Sequence, residues 1–522
     1  MSDSFSFDLI KQPWIPCLTA SGQAEELSLR ETLARAPEIR EVVDPSPLVT
    51  AALHRLLIAI VHRCLGPNTD EEWQHLWERG SFDLDVVGTY LAKWRHRLNL
   101  FDSERPFYQT PELDRSKAAP VSKLAHELSS GNNALLFDHS VDAEPQPIAP
   151  ARAARYLVAL HAFAVGGLVS FQKGEEKHRS AAAAPLTKGA VVFVAGANLF
   201  ETITLNMVNV DGTSSAPFEF DPVGDAPAWE QAERIRPADR SPSGYIDLLT
   251  WQSRRVLLLP EVRNNALVVP KVVLMKGYQL PDSMDQHSKE TMLAFQKREK
   301  TPSGQDPWPP MGFRPERVLW RDSLVLLQKS DDRHQRPRTV EELANRDLGT
   351  GHPASLVAFG MSSDRAKVML WRHDRLPLPT EYLRDTDLMS QLASAIKLAE
   401  DAAARLGSAV RLLAQKTLFP AGNPERKRVS SLVNSLAAER PYWAALNGPF
   451  RRLMVELADA WALDEQDAPI GAWAAAVRDA ATDAFEAAAR SLETSARGLR
   501  AAAEARGGLR ATLHVIIAPF LP

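Results

Sequence analysis

Cysteine is almost missing: the 522 residues carry only Cys17 and Cys64. A disulfide framework and a Cys-rich zinc site are both excluded. Such sparse use of cysteine fits a reducing compartment. An excess of positive charge is missing too, since 61 Lys and Arg face 65 Asp and Glu for a net charge of −4. That argues against a free-standing, strongly basic nucleic-acid binder, so any such contact is local or shared with partners. No apolar run approaches the roughly 20 residues of a bilayer span. The most apolar stretch, Ala51 to Val61, holds His54 and Arg55 and reads as a core helix. The opening MSDSFSFDLIKQPWIP has no basic n-region and no apolar run, so it does not read as a signal peptide. The expectation is a cytoplasmic protein with no membrane partner. Catalytic fingerprints are absent as well. There is no G-x-x-x-x-G-K-[ST], no G-x-G-x-x-G, no H-E-x-x-H, no C-x-x-C and no G-x-S-x-G. The reading that follows is of a protein that is not an enzyme, without cofactor or metal.

What is present divides the chain in two. Hydrophobic residues at 45% and charged residues at 24% are ordinary globular values. Residues 1–375 mix helical and strand patterns. Leu48 to Leu65, Leu84 to Leu98 and Ala151 to Val165 read as helices. Ala190 to Val194, Phe200 to Leu205, Arg255 to Leu259, Ala266 to Met275 and Val318 to Leu327 read as strands. The order is irregular, which points to an α+β domain. Leu376-Pro377-Leu378-Pro379 forms the seam. From residue 380 to 522 the pattern is helical, and alanine supplies 31 of the last 122 residues. A stripe at Leu388, Leu392, Ile396, Ala399, Ala403, Leu406, Val410 and Leu413 marks one helix face. Further helices are expected over Arg426 to Leu446, Phe450 to Trp461 and Trp473 to Leu499, with a turn at Asn447-Gly448-Pro449. Together they predict a four-helix bundle. The fold class is therefore a large mixed N-terminal domain followed by a C-terminal four-helix bundle.

Candidate chemistry is sparse. Arg372-His373-Asp374 tempts a metal-dependent nuclease reading through His373 and Asp374, but such a site needs further ligands. A structural His–Asp pair is the simpler reading. His54 and His62 fall eight residues apart on one helix and read as core histidines. Long loops are more suggestive. Lys173, Lys177, His178 and Arg179 lead into Ala181-Ala182-Ala183-Ala184, then Thr187 and Lys188. A cationic loop of small side chains lets a phosphate backbone come close. Lys297-Arg298-Glu299-Lys300 opens a second basic, proline-rich loop.

Four strings in order resemble one family. Pro13-Trp14-Ile15-Pro16, Arg105-Pro106-Phe107-Tyr108-Gln109-Thr110, Trp251-Gln252 and Gly360 to Asp374 are similar to elements of the CasA family. That family is the large subunit of the type I-E CRISPR Cascade complex. The resemblance implies a non-catalytic subunit of an RNA-guided DNA surveillance complex. It would recognise a protospacer-adjacent motif (PAM) on double-stranded DNA, help open the duplex for R-loop formation and recruit the helicase–nuclease. Its partners would be the other Cascade subunits, the CRISPR RNA, the target DNA and that effector. This matches the general division in which protein reads the PAM and base pairing reads the sequence.

The resemblance also implies site residues. A loop docking near the guide's 5′ end corresponds to Asn132 to His139, with Asn133, Leu136, Phe137 and Asp138 as its candidates. A glycine-rich loop along the PAM minor groove corresponds to Arg179 to Gly189, where alanines stand in place of glycines. A groove-reading lysine corresponds to Lys297 or Lys300. A wedge on a β-hairpin tip, usually Gln, corresponds to Arg365 beside Asp364. A guanidinium there can stack on a base and bind phosphate. The alternatives are the nuclease and a purely structural scaffold subunit.

Overall fold

Ser46 and Pro47 set the start of the helix around which the first unit is built. The Ser46 hydroxyl accepts from the Val49 amide and Pro47 takes the first helical position, where a missing N–H is harmless. The helix runs Pro47–Leu65 and is buried at every position from Leu48 to His62. A helix apolar on all sides must be covered on all sides. In the computed structural model, which describes residues 5–125, 146–209, 217–218, 221, 223–301, 306–314, 316–348, 352–364, 367–420, 422 and 424–521, the cover is complete. The helices Pro150–Phe163, Leu84–Lys93, Leu199–Leu205 and Tyr245–Leu249 and the strand Ser355–Asp364 pack on it. Its length and hydropathy would suit a membrane, but 83% of its apolar window is buried in protein.

The chain divides into two units. The first is Met1–Pro315 with Lys329–Arg375, and the second is Glu316–Gln328 with Leu376–Pro522. Three antiparallel three-stranded sheets frame the first unit. One orders Ala24–Leu27, Ile15–Thr19 and Ile39–Val42; another orders Ala119–Pro120, Ala266–Lys276 and Arg254–Arg263. The 254–276 hairpin turns at Asn264 and Asn265, with φ of 50° and 60° as a two-residue hairpin turn requires. The third sheet orders Lys367–Pro377, Ser355–Asp364 and Val191–Ala195, with Phe359 opposite Val191 and Ser355 opposite Ala195. Phe200–Leu205, expected as a strand, is part of the helix Leu199–Leu205. The reason is local: Asn198 caps it by accepting from the Glu201 amide at 2.9 Å.

The central helix's histidines are core groups. His54 lies 2.8 Å from the Thr50 carbonyl and His62 2.9 Å from the Val208 carbonyl. Burial depresses the pKa of both. On the neighbouring helix His161 is buried against Tyr108, and burial pushes its pKa down to about 4. Burial favours the neutral ring in the fold, so these rings take protons more readily when the chain unfolds. Their contribution is full above the unfolded value of about 6.5 and is lost as pH falls toward their folded values. For His161 alone the complete loss is about 3 kcal/mol. Urea midpoints from pH 7.5 to 5 should therefore fall, and His161→Leu should flatten that slope. An unchanged slope would remove His161 as the cause.

The second unit is helical, with long helices Thr386–Leu418, Glu439–Trp461, Asp467–Arg490 and Ala496–Ile517 and a shorter one at Arg426–Leu436. The expected stripe of Thr386–Leu418 is buried throughout. Three boundaries differ from the sequence reading. The break falls at Ala437, in the left-handed region with φ 46°, and the next helix runs straight through Asn447-Gly448-Pro449. Burial of Trp443, Leu446, Phe450 and Leu453 on one face outweighs the amide lost at Pro449. The last segment is two helices, separated at 491–495 and restarted by Ser495, whose hydroxyl accepts from the Gly498 amide. Val318 to Leu327, expected as a strand, is a short 3-10 turn and the helix Ser323–Leu327. Trp320 stacks on Phe450 with centroids 4.4 Å apart, and Arg321 forks onto Glu400 at 2.8 Å. Periodicity cannot separate a short buried strand from a short buried helix.

Candidate nucleic-acid interface

The loop after the helix Pro150–Phe163 is closed by a small ladder. Gly167–Leu168 pairs antiparallel with Ser180–Ala181, and the Val169 amide donates to the Arg179 carbonyl at 2.9 Å. Residues 169–179 therefore project from a fixed base. Arg255, itself buried, grips Glu175 through two nitrogens at 2.5 and 3.2 Å and ties down the loop's far side. Lys173, Lys177 and Arg179 are left exposed.

The alanine track is less open than its composition suggests. Ala181 and Ala184 are buried, while Ala182 is exposed and Ala183 half-buried. The Ala184 amide donates to the Ala164 carbonyl at 2.8 Å, and the Ala182 amide donates to Gln279 Oε1. The Ala182 carbonyl accepts from Arg254 Nη2 at 2.9 Å, as does the Val165 carbonyl. Arg254 has no carboxylate partner among the described residues, and burial lowers its pKa to about 10. It is a strut that holds the track, not a surface cation. Sequence reasoning missed Arg254, Arg255 and Gln279; their only signal was the apolar, strand-like setting of two adjacent arginines.

The second basic loop is ordered by aromatic stacking. Lys297 Nζ sits 5.5 Å from the Trp308 ring centroid, a cation–π distance. Trp308 in turn stacks on His287 at 4.5 Å and 11°. Lys300 is exposed and makes no such contact among the described residues.

These loops meet at the root of the 355–377 hairpin. Gln286, beside His287, donates to the Pro185 carbonyl at 2.9 Å. The Ala190 amide donates to Met311 at 2.7 Å. Two glycines permit the crossing: a Cβ on Gly312 would stand 2.6 Å from the Lys188 carbonyl oxygen, and one on Gly360 would stand 2.8 Å from that of Gly189. Phe313 packs beside Gly360, and the Arg372 guanidinium lies 5.6 Å from the Phe313 ring. Thus the alanine loop, the Lys297 loop and the hairpin share one junction. Lys173, Lys177, Arg179, Lys188, Lys297 and Lys300 are exposed around these loops, and none has an ion-pair partner among the described residues.

Other candidates stand apart. Asp364 ends the first hairpin strand, and the turn that holds Arg365 lies outside the described residues. The docking candidates Asn133, Leu136, Phe137 and Asp138 lie outside them as well. Asp374 is taken by Arg372 at 2.6 Å, and His373 stacks on Phe359 at 5.7 Å. No group of three or more His, Cys, Asp or Glu among the described residues could hold a metal ion. The nuclease alternative therefore lacks its further ligands among the described residues.

The fold is that of a CRISPR-associated protein. The family model for CRISPR-associated protein Cse1 matches residues 8–484, and the chain belongs to that family. The CasA/Cse1 protein of Thermus thermophilus is 33% identical over 487 residues, covering 88% of this chain and 89% of its own length. The crystal structure of Cse1 from Acidimicrobium ferrooxidans superposes with a TM-score of 0.84 at 27% identity and 99% coverage of each chain. A chain of a structure titled CRISPR RNA-guided surveillance complex shares the fold, with a TM-score of 0.73 at 23% identity, over 97% of this chain and 99% of that one.

Proposed function

We propose that this chain is the non-catalytic large subunit of a type I-E RNA-guided surveillance complex in the cytoplasm. It reads the PAM on double-stranded DNA, opens the first base pairs and recruits the helicase–nuclease. The observation that carries the reading is the junction of the two basic loops with the hairpin. Exposed cations without an ion-pair partner among the described residues then lie on loops that meet this hairpin. Family membership and the surveillance-complex title of a solved neighbour support it. Opening a base-pair step opposes about 1.4 kcal/mol of stacking on average, which a hairpin tip and a few cation contacts can offset. Lys297 is the better groove-reading candidate, because Trp308 holds it while Lys300 has no such contact among the described residues.

The test is a band-shift titration of the guide-loaded complex with and without this subunit, on permissive and scrambled PAM duplexes. The subunit should tighten binding to the permissive duplex more than to the scrambled one. Each cation contact is worth up to about eightfold near 0.1 M salt. Lys297→Ala should therefore weaken permissive binding by up to that factor, and Lys300→Ala by less. Equal binding of both duplexes, with or without the subunit, would leave only the scaffold role.

A further inference from the structure

The hairpin root also lines an open pocket that the DNA reading does not use. Its volume is about 210 Å³. The strand Ile39–Val42, the start of the central helix, the strand Val191–Ala195 and both hairpin strands supply its walls. That exceeds the roughly 150 Å³ cavity known to hold benzene, so a substituted or fused ring fits by volume. Aromatic rings dominate one side. Phe193 and Phe359 meet edge to face at 5.9 Å, His54 leans on Phe193 at 5.4 Å, and the exposed His373 stacks on Phe359.

Most polar groups of the lining are matched. The Thr202 hydroxyl accepts from the Gly196 amide at 3.2 Å, and the Thr50 hydroxyl accepts from the Asp44 amide at 3.0 Å. Asp44 pairs with Arg155 at 3.3 Å and Glu41 with Arg375 at 3.0 Å. His54 is one exception. Its Nδ1 faces a carbonyl, which can only accept, so Nδ1 carries the hydrogen and Nε2 is left as an acceptor. The residue is 5% exposed, and Nε2 has no hydrogen-bond partner among the described residues. An unmatched acceptor in an aromatic pocket favours a planar ligand that donates a hydrogen bond. Arg40, exposed on the same lining, has no ion-pair partner among the described residues and suits an anionic tail.

We propose that this pocket binds a nucleobase-class heterocycle, which donates an N–H to His54 Nε2, packs among Phe193, Phe359 and His373, and carries its phosphate to Arg40. The site does not depend on PAM reading. Two sources supply this chemistry: a free nucleotide, or one base of a single DNA strand. Calorimetric titration of the full chain with adenosine monophosphate tests it, with adenosine and inorganic phosphate as separate probes. The monophosphate should bind saturably, adenosine more weakly, and phosphate alone not at all. His54→Leu should weaken the monophosphate at least tenfold. Arg40→Ala, at an exposed position that keeps the fold, should reduce the monophosphate to the affinity of adenosine. Displacement of the nucleotide by a short oligo-dA assigns the site to a strand; failure to displace assigns it to free nucleotide. No saturable binding at millimolar monophosphate overturns the proposal. So does an affinity unchanged in Arg40→Ala or in a folded His54→Leu.

Discussion

Glu290→Ala should destabilise the first unit by about 3–5 kcal/mol, the usual effect of stranding one partner of a buried ion pair. Arg55 and Glu290 are paired through two bonds, at 2.8 and 3.2 Å, with side chains only 4% and 1% exposed. Glu290 Oε1 also accepts from the Met292 amide at 3.1 Å. The variant therefore leaves the guanidinium with only the Met292 sulfur, at 3.4 Å, and the Met292 amide without its acceptor inside the unit. Against a typical total of about 5–15 kcal/mol, that is a large share of stability. Replacing both partners by apolar residues is a different matter. Arg55→Met with Glu290→Leu should come within about 1–2 kcal/mol of the parent, because no charge is left to desolvate. Hydrogen exchange at the amides of Pro47–Leu65 reads the first unit separately from the helical one. A Glu290→Ala variant within about 1 kcal/mol of the parent would mean that water or relaxation reaches the pair.

The same pair shows what sequence can and cannot reveal. Arg55 stood out as a charge in the most apolar stretch, but its partner lies 235 residues away and no local pattern names it. The mixed first part, the central helix and the stripe of Thr386–Leu418 were legible because burial there follows one period over many residues. The strands Ile15–Thr19, Ala24–Leu27 and Ile39–Val42 were not, since each is four or five residues long and one reads AEEL. The segment Glu316–Gln328 groups with the helical unit through Arg317, Trp320 and Arg321, whose partners include Glu400 and Asn447. Contacts at that separation leave no trace in a local window.

The candidate interface was legible as composition and as resemblance, not as geometry. Clustered Lys and Arg and a run of alanine could be read from the chain; the hairpin near Asp364 came only from the resemblance. That Ala181 and Ala184 turn inward could not, because it follows from the pairing of Gly167–Leu168 with Ser180–Ala181 and from a buried arginine that binds carbonyls. The separation of Lys297 from Lys300 needed the placement of Trp308.

With Ala181 and Ala184 turned inward, the proposed contribution of the loop to DNA binding rests on its exposed cations, and this gives the largest functional effect expected. Log affinity for duplex DNA falls with log salt with a slope of about −0.9 per phosphate neutralised. Removing two full contacts should make the slope shallower by about 1.8 and weaken binding near 0.1 M salt by up to roughly 60-fold. Lys177→Ala with Arg179→Ala should do this to the complete guide-loaded complex on permissive duplex. The fold should survive, because both side chains are exposed, neither has an ion-pair partner among the described residues, and Arg179 joins the ladder only through its backbone. The loss should apply equally to permissive and scrambled duplexes, since phosphate contacts carry no sequence information. Lys297→Ala should differ, acting mainly on the permissive duplex if it reads the groove. Band shifts at 50 to 300 mM salt measure both quantities. A double variant with an unchanged salt slope would show that the 169–179 loop does not touch phosphate, and the DNA-binding assignment of that loop would be withdrawn even if the Lys297 result held.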